Sequence, residues 1–229
     1  MKIDVLADAD SVARAAASMI AEMARSCVAA RGRFIMAVSG GQTPWMMVRA
    51  LSHQDMPWEK VHVVQVDERV APAGHPDRNL MHLRDSLLTH APLPMDHIYA
   101  MPVDASDLIA AAAQYAARLQ EIAGSPPVLD LVHLGLGSDG HTASLIPGDP
   151  VLKVEEVDVA LTGSYQGLRR MTLTYPILNR SRCILWLVTG SEKAGMFARL
   201  RDGDLSIPAG LVHREQAIVL ADRAAAGSV

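Results

Sequence analysis

The chain has 229 residues, half of them hydrophobic and a fifth charged, with a formal net charge of −4 and two cysteines. Such a length holds one large α/β domain or two small ones, with a core that needs no disulfide staples, and the charge balance leaves no basic footprint for nucleic acid. No apolar run reaches the ~18 residues that span a bilayer, and no basic stretch followed by an apolar core marks a signal peptide, so the expectation is a soluble cytoplasmic protein with no membrane partner.

In chain order, residues 8–32 predict a helix that starts at an acidic or Ser cap and stops at Gly32. "RFIMAV" (33–38) and "VHVVQV" (61–66) are short, β-branched apolar runs expected of strands covered on both faces. A second long helix runs from Ser106 or Asp104 as cap to Gly124. "LDLVHLGL" (129–136), "CILWLVT" (183–189) and "AIVLA" (217–221) predict further strands, with a helix opening at Ser191 between the last two. Cys27 and Cys183, in apolar surroundings and without partners at metal-ligand spacing, read as buried reduced thiols. The alternation predicts an α/β fold, a mostly parallel, doubly wound Rossmann-like sheet with helices on both faces. The Thr-rich stretch 161–179 predicts a small antiparallel edge, and without linker or repeat residues 1–229 read as a single domain.

Parallel sheets bind ligands beyond the carboxyl ends of their strands, which directs attention to four strand-to-helix junctions. At the first, Ser39-Gly40-Gly41 precedes a helix with Thr43 as predicted cap and Pro44 at its first position. This is either an anion cradle at a helix N-terminus or a plain tight turn. The second, "VDERV", sets Asp67, Glu68 and Arg69 after an apolar strand and leads to Arg78-Asn79. Arg69 suits a phosphate or carboxylate, and Asp67 suits either a histidine or sugar hydroxyls; a solvated charged turn is the plain alternative. The third, "LGLGSDGHTASL" (134–145), formally matches the dinucleotide fingerprint G-x-G-x-x-G. That fingerprint needs a long helix after its glycines, whereas Pro147-Gly148 would cut any helix off within about two turns. The glycines instead suit a sharp turn that exposes His141 as a general base, with Asp139 two residues earlier to position it and backbone N–H groups near Gly137–Gly140 for an oxyanion. At the fourth, Lys193 lies in the first turn of a helix, where a cation is sensible if an anion sits between it and the helix end; a flexible, exposed Lys beside a Ser191 cap is the plain alternative. No nucleophile elbow and no His/Cys/Asp set at metal spacing is present, so metal-free acid–base chemistry on a small phosphorylated compound is the simplest account.

The motifs "SGGQTP", "VDERVAP", "HPDRN", "LGLGSDGHTASLIPG", "RRMTLTYPILN" and "WLVTGSEKA" occur in the order found in 6-phosphogluconolactonases, and from about residue 5 to 222 the chain resembles that family. The resemblance implies a deaminase/isomerase-like α/β fold and hydrolysis of 6-phosphogluconolactone to 6-phosphogluconate in the oxidative pentose phosphate pathway, with no cofactor. It implies that His141 is the base that activates water, that Arg69 and Lys193 bind the phosphate, and that Ser39, Gly40, Gly41 and Thr43 lie in the same site. Asp67 and Asp139 match acidic cleft positions, Arg170 matches the Arg before the Thr-Leu-Thr strand, and Asn79 belongs to the loop that contacts the sugar. Arg78 departs from the Ser common in relatives. The partner expected is a phosphorylated sugar lactone, taken up by a monomer or weak homodimer. Glucosamine-6-phosphate deaminases share the Asp-Gly-His block but carry a Glu soon after it, where Thr142–Pro147 has no acid. A non-catalytic sugar-phosphate sensor is the remaining alternative, and the intact His141 argues against it.

Overall fold

The computed structural model describes residues 1–227; the last two residues of the expected single domain lie outside them. The strands are β1 (Lys2–Leu6), β2 (Phe34–Val38), β3 (Val61–Gln65), β4 (Asp67–Arg69), β5 (Ile98–Tyr99), β6 (Leu131–Gly135), β7 (Val159–Leu161), β8 (Arg170–Leu173), β9 (Ile184–Val188) and β10 (Ala217–Asp222). The helices are α1 (Ala9–Arg31), α2 (Gln42–Leu51), α3 (Asn79–Leu83), α4 (Leu108–Ala123), α5 (Tyr175–Arg180), α6 (Ala194–Asp202) and α7 (Arg223–Ala226). No helix among the described residues is long and apolar enough to cross a membrane.

Seven strands form a parallel sheet in the order β1-β10-β9-β6-β2-β3-β5. Their period-two alternation feeds two separate cores. In β2, Phe34, Met36 and Val38 face α1 and α2, while Ile35 and Ala37 face the opposite side with Tyr115 and Leu119 of α4. Trp186 and Leu187 of β9 divide in the same way. Asp8 caps α1 by accepting the Ser11 N–H at 2.8 Å, and Gly32 ends it in the left-handed conformation, as the sequence predicts. For α4 the cap is Asp107, which accepts from Ile109 and Ala110, rather than Asp104 or Ser106.

After β2 the chain steps to β3 and β5 on one side, and β6, β9 and β10 later fill the other. The gap between the carboxyl ends of β2 and β6 is therefore the topological switch point, where open parallel sheets bind ligands. The antiparallel element expected as an edge is a separate three-stranded sheet in the order β4-β8-β7, standing over this crevice. Arg69 pairs with Arg170, and Asp67 with Thr172, across its β4–β8 ladder. Within 161–179 the last residues are helical, as α5, because Pro176 sits in the first turn and ends the extended run.

Candidate active site

All four junctions open into one cavity of about 410 Å³. Ser39, Gly40, Gly41, Thr43, Asp67, Arg69, Asn79, His141, Arg170 and Lys193 line it; Asp139 is absent from the wall and stands behind His141.

The first junction is built around a close approach. A Cβ on Gly40 would lie 2.7 Å from Cγ of Asn79, so only glycine lets the loop pass the Asn79 amide. Helix α2 begins two residues earlier than predicted: Gly41 is the N-cap and offers no side-chain cap. Thr43 is thus inside the first turn, and its hydroxyl meets Thr189 Oγ1 at 2.6 Å. The first-turn N–H groups of α2 are left for an anion. Beneath the loop, Nδ1 of His133 accepts the Ser39 N–H at 3.3 Å. Burial pushes His133 down to about 3, so the ring is neutral and carries its proton on Nε2.

In β4 the strand period sorts the three charges. Asp67 and Arg69 point into the cavity, and Glu68 between them is fully buried. Glu68 accepts the N–H groups of Arg69 (2.8 Å), Asn79 (2.7 Å) and Leu80 (2.8 Å), and the side-chain amide of Gln65 (2.9 Å). It therefore caps α3 and fixes Asn79, whose Nδ2 donates to the Asp67 carbonyl at 2.9 Å and whose Oδ1 accepts from Arg69. The departure at Arg78 lies out of the cavity: its buried guanidinium sits 3.7 Å from Glu68.

After β6, no helix follows the glycines; Thr142 and Leu145 close a bridged turn instead, which removes the dinucleotide reading. Gly137 N–H donates to the His141 carbonyl at 2.8 Å, Gly140 N–H to the Gly137 carbonyl at 3.1 Å, and His141 N–H to Asp139 Oδ1 at 3.1 Å. Those three N–H groups are consumed within the loop, so of the Gly137–Gly140 stretch expected to supply oxyanion donors the N–H groups of Ser138 and Asp139 are the ones left to serve. His141 Nδ1 meets Asp139 Oδ1 at 2.5 Å. Burial alone would push the Asp139 carboxyl up, but the N–H and ring of His141 and the Tyr165 hydroxyl outweigh it and hold it below the ordinary carboxylate range. Of the two acids considered for orienting a histidine, Asp139 takes that place. Asp67 instead accepts the Ser144 hydroxyl at 2.6 Å.

Lys193 ends a short 3-10 turn, Ser191–Lys193, and α6 starts after it, so Gly190 rather than Ser191 stands at the entry. Arg69, Arg170 and Lys193 have no carboxylate within ion-pair distance among the described residues. Arg170 is buried, its Nε has no partner, and burial, with Arg69 adding to it, pulls its proton affinity down. Like charges opposed across a ladder are unfavourable by themselves, which suits a cavity that receives an anion. Tyr165, Gln166 and Glu192 also line the wall and were not singled out in the sequence, nor was His133 beneath it. The histidine inside the apolar run "LDLVHLGL" was the one available signal for the last.

A sequence-family model described as glucosamine-6-phosphate isomerases/6-phosphogluconolactonase matches residues 7–220. The chain belongs to this family. It is 38% identical to a 6-phosphogluconolactonase of Synechocystis over 84% of this chain and 81% of that one. A Nostoc 6-phosphogluconolactonase is 33% identical over 99% of this chain and 97% of its own. The crystal structure of the Thermotoga maritima 6-phosphogluconolactonase superposes with a TM-score of 0.84 at 25% identity, covering 96% of this chain and 98% of that one. Directly after the Asp-Gly-His block, Thr142-Ala143-Ser144 carries no acid next to His141.

Proposed function

We infer that the chain hydrolyses 6-phospho-D-glucono-1,5-lactone to 6-phosphogluconate, the second step of the oxidative pentose phosphate pathway, in the cytoplasm. The observation that carries the reading is His141, backed by Asp139, at the wall of a cavity that also holds three cations without a carboxylate at ion-pair distance.

An ionised carboxylate is an acceptor only, so the contact with Asp139 puts the proton of neutral His141 on Nδ1 and leaves a lone pair on Nε2. Arg69, Lys193 and the N–H groups at the start of α2 take the phosphate and hold the lactone carbonyl near the ring. Nε2 removes a proton from water as it attacks C1, and a tetrahedral oxyanion forms. The same nitrogen then returns the proton to the ring oxygen as the C1–O5 bond breaks. Asp67 and Asn79, locked to each other, face the sugar hydroxyls. One chain supplies every group in this scheme, so a monomer suffices.

The test is the decay of 6-phosphogluconolactone measured above its spontaneous rate with EDTA present. The wild type accelerates it and releases no ammonia from glucosamine 6-phosphate. His141→Ala abolishes acceleration while 6-phosphogluconate still binds. Turnover that survives in His141→Ala refutes the base, and ammonia release refutes the lactonase reading.

A further inference from the structure

Tyr165 belongs to no motif that the resemblance covers, yet it stands directly over the base. Its hydroxyl donates to Asp139 Oδ2 at 3.1 Å, the oxygen that His141 does not use. Its ring meets the His141 imidazole edge-on, with centroids 5.7 Å apart, and the Arg170 guanidinium lies over the ring at 5.0 Å from the centroid. The run Arg170–Tyr165–Asp139–His141 is thus continuous from a buried cation to the imidazole.

The support beneath Tyr165 is specialised. Tyr165 and Leu168 exchange backbone hydrogen bonds of 3.0 and 3.2 Å around Gln166 and Gly167, whose φ values are 52° and 82°. Two successive positive φ angles mark the tight hairpin turn that matches strand twist. A glutamine enters the left-handed region only where the surrounding structure enforces it, as this turn does. Gln166 Oε1 in turn lies 3.4 Å from Nη2 of Arg170, tying the hairpin tip to the same guanidinium.

We propose that Tyr165 is a positioning residue for the His141 base: its phenol pins the free oxygen of Asp139, so that the other oxygen holds Nδ1–H and Nε2 faces the cavity as the sole basic nitrogen. Asp139 is among the more exposed members of the site, with 37% of its side-chain surface accessible. A carboxylate so exposed, held on one side only, turns about its Cβ–Cγ bond and exchanges its oxygens with water. Two donors on two different oxygens stop that rotation. The cation over the ring face strengthens the O–H as a donor, since it withdraws charge from the phenol.

The kinetic readouts rest on the lactonase reading, whereas the nitrogen shifts described next do not, so the two fail separately. Tyr165→Phe keeps the ring and deletes the hydroxyl. It is expected to lower kcat about tenfold with KM within twofold, and to move the acid limb of kcat/KM to higher pH, because Asp139 without its second donor attracts the imidazolium more strongly. In the Asp139→Asn background the same change is expected to matter less than twofold, because the group through which Tyr165 acts is gone. Nitrogen-15 NMR at alkaline pH, with the His141 signals assigned by their loss in His141→Ala, is expected to show one Nδ1–H tautomer in the wild type and a mixture in Tyr165→Phe. Unchanged nitrogen shifts in Tyr165→Phe overturn the proposal, even if kcat falls. An equal kinetic loss with and without Asp139 overturns it as well.

Discussion

A single methyl group tests the geometry of the base more sharply than its deletion. A Cβ built on Gly137 collides with the ring of His141 and lies 2.7 Å from Asp139 Oδ1, where ordinary contact begins at 3.4 Å. Gly137→Ala therefore forces the imidazole and carboxylate to retreat by roughly 1 Å, and a displacement of that size costs about 100-fold in rate, or ~2.7 kcal/mol of barrier. The fold should tolerate it. His141 has 25% of its side-chain surface exposed and can swing into the cavity, so the stability at risk is that of a partly solvated contact, about 1 kcal/mol at most. A domain of this size then melts within about 4 °C of the wild type. The assay is lactone hydrolysis with the spontaneous rate subtracted, alongside a thermal melt. Because the phosphate contacts are untouched, KM should stay within about threefold while kcat falls. Activity within threefold of wild type in a folded Gly137→Ala protein would refute the dependence of catalysis on the His141–Asp139 contact.

Lys193→Ala should raise KM by about 10- to 100-fold with a smaller change in kcat, as expected when one charged hydrogen bond worth ~1.5–3 kcal/mol is lost from uniform binding, read from steady-state kinetics. Glu68→Gln leaves too few acceptors for three backbone N–H groups and strips buried Arg78 of its nearest carboxylate. It should cost about 2–4 kcal/mol, visible as a drop in melting temperature, with an unchanged melt the contrary result. His62, lowered to about 4 mainly by burial, and His133, lowered to about 3, are neutral in the folded chain but take up protons near pH 6.5 when unfolded. The unfolded state binds more protons between pH 6.5 and those values, so stability falls as pH falls through that window. By pH 5 the loss is about 2 kcal/mol for buried His133 and smaller for half-buried His62, whose charge solvent screens; urea midpoints at pH 7 and 5 measure it, and His133→Leu should reduce the difference.

The sheet was legible where its strands are buried on both faces, because there the sequence must be continuously apolar. Runs 33–38, 61–66, 129–136, 183–189 and 217–221 all became strands of the parallel sheet, shortened by a residue or two at most ends. Both edge strands escaped notice for the converse reason. β1, "KIDVL", has no fully buried residue and exposes Lys2 and Val5, and β5 contributes only Ile98 and Tyr99. Helix entries were misplaced where the best capping side chain was taken as the cap. Thr43 and Ser191 have the right chemistry, yet glycines at 41 and 190, whose positive φ angles suit glycine alone, make the turn.

The site shows the same division more finely. Residues that a strand end must deliver to the crevice, such as Ser39, Asp67, His141 and Lys193, follow from topology once the strands are known. What the sequence did not reveal is that Asp67-Glu68-Arg69 is itself a strand. Three consecutive charges look like a solvated turn, but a three-residue ladder over a cavity needs them in that alternation: two facing the ligand and one buried under backbone donors. Tyr165 was hidden for a related reason. Its position depends on a hairpin turn at Gln166-Gly167, where the usual turn signal is Asn-Gly or Asp-Gly, and on a partner 26 residues away. A residue that acts by holding another is recognisable only once both ends of the contact are in place, so positioning groups are the part of a site that sequence alone conceals longest.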